Sequence, residues 1–138
     1  MEPRITVLTL GVDDLERSLA FYRDGLGLPT EGIIGTEFEG GDVVFFHVNE
    51  GMILALYPRQ SISKDSKLDV TAPSPTDFTI GHNVASIEEV DSLIEEARKA
   101  GATIPDPPRD RSWGGYSGHF QDPDGHLWEI VWNPSLDL

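Results

Sequence analysis

Glu129 stands in a strand-like run, His126–Trp132, directly after the turn residues Asp122-Pro123-Asp124-Gly125. In an apolar setting between Leu127 and Val131 it would serve as a general base or acid for proton transfer. The same carboxylate would be inert if it were paired with a tyrosine, a histidine or an arginine. Of the four histidines, His119 lies on the strand-like run before that turn and, depending on the strand's register, either reaches a ligand or points away from it. Alternation places His82 on the side of Ile80 and Val84, against a helix, in a structural role. His126 reads as a surface residue and His47 as the end of a strand. Arg109 and Arg111 either clamp a carboxylate or phosphate or bridge locally to Asp106 or Asp110. Trp113 and Tyr116, beside Gly114 and Gly115, offer flat amphipathic surface for a pocket rim, a core or an interface.

These residues need elements to position them. Ile5–Leu10 is rich in β-branched residues, and Asp13-Asp14 caps a helix with Leu15, Leu19, Tyr22 and Leu26 at helical spacing, stopped by Gly25 or Gly27. Residues 32–39, 43–48 and 52–57 follow as a meander of strands, separated by glycine-rich turns. The polar stretch 58–77 lacks apolar periodicity and reads as a linker. The pattern then restarts. Residues 78–84 form a strand, and Ser86-x-x-Glu89 is a capping box opening a helix with Ile87, Val90, Ile94 and Ala97 on one side and Gly101 at its end. Residues 102–104 make a short strand, 105–111 a proline-rich loop, and 116–121 and 126–132 two further strands. Val12 corresponds to Val84 and Gly27 to Gly101, so the chain is a duplication: an α+β domain of two tandem βαβββ modules, 1–57 and 78–134, within a single domain 1–138. The sheet face opposite each helix is concave and free, so two such sheets set side by side would form a cup for a small molecule.

Composition narrows the function further. The 138 residues include 24 acidic against 10 basic ones, a formal charge of −14 that repels nucleic-acid phosphates and anionic lipid. With no cysteine, disulfides, thiolate nucleophiles, thiolate-bound zinc and iron–sulfur clusters are excluded. The start, Met1-Glu2-Pro3-Arg4, carries no secretory pattern, and no apolar run reaches membrane-spanning length, so a cytoplasmic protein is expected. No P-loop, Rossmann glycine fingerprint, nucleophile elbow or zinc-protease motif occurs.

Two segments carry a family resemblance. Gly11-Val12-Asp13-Asp14-Leu15-Glu16-Arg17-Ser18-Leu19-Ala20-Phe21-Tyr22 with Gly25-Leu26-Gly27-Leu28, and Asp122-Pro123-Asp124-Gly125-His126-Leu127-Trp128-Glu129, resemble signature segments of the vicinal-oxygen-chelate superfamily (glyoxalase/bleomycin resistance protein/dioxygenase). The resemblance spans nearly the whole chain and implies the fold, a homodimer and, in metal-dependent members, four ligands, two per half. Those positions fall here at Val7, at Leu54 or one residue from it, at Thr79 and at Glu129, of which only Glu129 is a credible ligand. No cofactor is expected, and a divalent metal only through displaced residues such as His47, His119 and Glu129. The expected ligand-binding set is Val7, Thr9, Leu54, Thr79, Trp113, Tyr116, His119 and Glu129, with Glu129 the catalytic candidate. The superfamily hosts isomerases, lyases, dioxygenases and drug-sequestering proteins, so the resemblance leaves the chemistry open.

Overall fold

The succession of strand, capped helix and three strands occurs twice in the computed structural model, which describes residues 1–137 and divides into two units, Met1–Ala72 and the segment from Pro73 onward. In the first unit, β1 (Val7–Val12) leads to α1 (Leu15–Leu19), and then come β2 (Ile33–Ile34), β3 (Val43–Asn49) and β4 (Met52–Pro58). The sheet order is β1-β4-β3-β2, with β1 parallel to β4 and the other pairs antiparallel. The second unit repeats this with β5 (Ile80–Val84), α3 (Ile87–Lys99), β6 (Thr103–Asp110), β7 (Tyr116–Gln121) and β8 (Leu127–Trp132), in the order β5-β8-β7-β6. The first unit also holds a further helix, α2 (Arg59–Ser66), directly after β4 in the chain.

Both predicted caps are present. Asp14 Oδ1 accepts from Arg17 N at 3.1 Å, and Ser86 Oγ accepts from Glu89 N at 3.2 Å while Glu89 reaches back to Ala85 N. After Leu19 the first helix widens into a π-helical stretch, Ala20–Gly25. Gly101 ends α3 at φ 107°, a left-handed conformation that lets Ala102 N return to Ala97 O.

Each core lies between a sheet and its helix. In the first unit Leu10, Val12, Val44, Phe46, Leu54 and Leu56 share the buried side with Leu19 and Tyr22. In the second, Phe120 and Ile130 meet Val90, Ile94 and Ala97, and the rings of Phe120 and Trp128 stack 5.8 Å apart. Each fully buried large side chain contributes about 1.5–3 kcal/mol, so alternation along the strands fixes which face turns to the helix.

Three expectations need correcting. The segment 32–39 is a strand only at Ile33–Ile34. The linker holds α2, which buries none of its residues and so lacks an apolar signature. It is held instead by Tyr57 donating to Asp65, by Arg59 paired with Asp13 at 3.2 Å, and by Ile62 lying over Gly11. The proline-rich loop 105–111 is instead largely the edge strand β6, because prolines are tolerated where a strand's outer N–H groups have no partner. Among the described residues no helix is long and apolar enough to cross a membrane.

Candidate functional site

The face of the second sheet turned away from α3 carries Ser117, His119 and Gln121 on β7, opposite Val131, Glu129 and Leu127 on β8. Next to β7, β6 is out of step twice, pairing Thr103 with Gln121, Asp106 with His119 and Arg109 with Ser117. Residues three apart on a regular strand point to opposite faces. The two irregularities, at the prolines, cancel that alternation and set Asp106 and Arg109 on the row of His119 and Ser117.

Asp106 is the hub. Its carboxylate accepts from Arg109 Nε at 3.1 Å, from Arg111 Nη2, and from His119 Nδ1 at 2.8 Å. Partial burial opposes its ionisation, but the hydrogen bonds from Arg111, His119 and Arg109 outweigh burial and hold the carboxyl well below the usual aspartate range. An ionised carboxylate only accepts, so the proton of a neutral His119 ring sits on Nδ1 and Nε2 keeps its lone pair. That Nε2 lies 4.0 Å from Glu129 Oε2. Arg111, only 12% exposed, also donates from Nε to Ser117 Oγ at 2.7 Å and from Nη2 to Ser117 O at 2.8 Å. Ser117 Oγ passes the polarity on, donating to Glu129 Oε2 at 3.0 Å. Asp106, Arg111, Ser117, Glu129 and His119 thus form a nearly closed polar ring on one sheet face.

The arginines therefore bridge locally, to Asp106, and are not poised as an anion clamp. Glu129 is 31% exposed and sits in a polar ring, not an apolar cup. Tyr116 points to the opposite side of β7, where its hydroxyl donates to Asp91 on α3 at 2.7 Å. That bond, with burial and the charges of Asp91 and Asp110, pushes the phenol up to about 12. Tyr116 is an anchor for the helix, not a pocket wall. Trp113 stands 55% exposed at the β6–β7 turn with its ring over Gly115, outside the polar ring.

A family model for the glyoxalase/bleomycin resistance protein/dioxygenase superfamily matches residues 4–130. The chain belongs to that superfamily. A glyoxalase-related enzyme from Fulvimarina pelagi is 34% identical and superposes with a TM-score of 0.85, covering 99% of this chain and 92% of that one. A superfamily structure from Nocardioides is 28% identical, with a TM-score of 0.77 over 100% of this chain and 91% of its own. YraH of Bacillus subtilis (strain 168) is 28% identical over 131 residues, 92% of this chain and 96% of YraH.

The structure places the four positions that the resemblance implies for a metal as follows. Val7 and Thr79 are exposed and Glu129 is on the polar face, but only Glu129 offers a carboxylate. Leu54 is 2% exposed on the helix side, in register with Leu8 and Phe46. It does not share a face with Val7 and Thr9, whose partners are Ile53 and Ala55, so the equivalent of Glu129 is Ala55. Among the described residues no three of His, Asp and Glu group to hold an ion. His82, expected against the helix, is exposed, because β5 is an edge strand and α3 packs chiefly on β7. His47 lines a separate pocket of about 420 Å³ in the first unit with Thr30, Ile34 and Phe45.

Ser117 was missed by sequence reasoning, although its two-residue spacing from His119 places both on one strand face. Asp106 was read only as a salt-bridge partner. Its hub position depends on the strand irregularities of β6, which the prolines foreshadow without fixing.

Proposed function

We propose that this superfamily member binds a small organic molecule on the Glu129 face of its second unit, without the family's four-ligand metal set. Glu129 and Nε2 of His119 receive a hydrogen bond or a proton from it. The observation that carries this reading is the Asp106–His119 contact of 2.8 Å, which in the neutral ring leaves Nε2 of His119 as an acceptor 4.0 Å from a second acceptor, Glu129. An Asp that fixes a histidine's tautomer and orientation is a general way of readying the other ring nitrogen. With a sufficiently acidic ligand, the X–H bond breaks, its electron pair stays on the ligand, and Glu129 or His119 takes the proton.

A fragment library of amines, alcohols and carboxylic acids, followed by protein-observed NMR, tests the reading. Shifts should cluster at Gly81, Ser117, His119 and Glu129, and Glu129→Gln should weaken the binders. Clustering confined to the Phe45–His47 pocket, or equal affinity for Glu129→Gln, would contradict it. Near-stoichiometric metal in protein purified without chelator would overturn the part that concerns the ligand set.

A further inference from the structure

Three glycines lie inside strands, and two have visible reasons to be glycine. A Cβ on Gly11 would stand 3.2 Å from the side chains of Arg59 and Ile62, and one on Gly118 would stand 2.9 Å from Pro108 N. Gly81, the second residue of β5, has no such reason. Its φ is not positive, and no heavy atom lies within 4 Å of where its Cβ would be. A glycine within a strand weakens it, so one that neither backbone nor packing demands marks a place where something else approaches.

Gly81 is the register partner of Glu129, whose other neighbour is His119 on β7. The missing side chain therefore leaves a notch in the row of side chains, bordered by the Glu129 carboxylate. We propose that Gly81 is a specificity-determining position: its notch admits the hydrogen-bond-donating end of a small ligand, an ammonium group best of all, to Glu129. The inference rests on the Glu129 face being the ligand face. The class follows from the inventory of groups. Glu129 is a carboxylate with acceptor capacity beyond its bond from Ser117, and His119 offers a lone pair, while Nε and Nη2 of Arg111 are engaged by Ser117 and Asp106. A carboxylate ligand would meet acceptors, and a net charge of −14 disfavours its approach further.

Propylammonium and propionate, equal in chain length and opposite in charge, are the probes. Each is titrated into the intact protein while the amide signals of Gly81 and Glu129 are followed by NMR. Propylammonium should shift both signals and propionate neither. Gly81→Leu should weaken propylammonium binding by about tenfold or more, the scale of losing one charge-assisted hydrogen bond, and Gly81→Ala by less. Gly81→Ala should melt no lower than the wild type, since a Cβ there has no heavy atom within 4 Å. The proposal is overturned if propionate binds and propylammonium does not, if propylammonium shifts neither signal, if Gly81→Leu binds it normally, or if Gly81→Ala lowers the melting temperature. If Glu129→Gln loses propylammonium while Gly81→Leu keeps it, the ligand face stands and only the notch fails. If Glu129→Gln keeps it, the ligand face itself is wrong.

Discussion

Thr9 pairs with Ala55 across β1 and β4, as Gly81 pairs with Glu129 across β5 and β8. On the next strand Ala55 faces Phe45, and Glu129 faces His119. One backbone plan thus carries an uncharged row in the first unit and an acid–imidazole row in the second. On the helix sides most correspondences are conservative in character, Phe46 with Phe120, Leu54 with Trp128, Leu56 with Ile130 and Val12 with Val84, whereas Leu10 answers to His82 and Val44 to Gly118. The comparison teaches that the fold is specified by the side of each strand that meets its helix. The other side is left to function, and there the two units have diverged.

The most disruptive way to break the comparison is to force the second unit's chemistry onto the first. Ala55 is 1% exposed, so Ala55→Glu buries a carboxylate with no partner and should cost about 3–5 kcal/mol in denaturant unfolding. Leu54→Ala comes next, at about 3 kcal/mol, whereas a ligand-face residue in that place would be replaced at little cost. Asp106→Asn should cost about 2 kcal/mol, because Arg111 then keeps its charge without a counter-charge. Its pH dependence has a definite sign. The carboxyl of Asp106 is held below its unfolded value, so its stabilisation is complete above about pH 4 and is lost as the pH falls through the folded value. The gap between wild type and Asp106→Asn should therefore close in acid. Smallest is Glu129→Gln, within about 1 kcal/mol, since the amide oxygen still accepts from Ser117. Its effect belongs to ligand binding rather than to folding.

Sequence reasoning reached the helix stripes, both N-caps and the turn at Asp122–Gly125, because each is written in local spacing or in turn chemistry. It put Leu54 on the wrong face for a simple reason: in a strand an error of one residue reverses the side. It treated the prolines of β6 as a loop, since their compatibility with an edge strand depends on which neighbour the strand lacks. Of the polar ring the sequence offered only the bridge from the arginines to Asp106, as one alternative, because Ser117 and His119 are brought to Asp106 and Arg111 by those strand irregularities and by long-range register.

The direct test of the difference between the two sheet faces is the tautomer of His119, read from long-range proton–nitrogen correlation spectra at a pH where the ring is neutral. A proton on Nδ1 and a bare Nε2 is the result expected if Asp106 commits this imidazole as an acceptor beside Glu129. A proton on Nε2 instead would mean that Asp106 does not set the ring, and the second unit's face would lose the property that distinguishes it from the first.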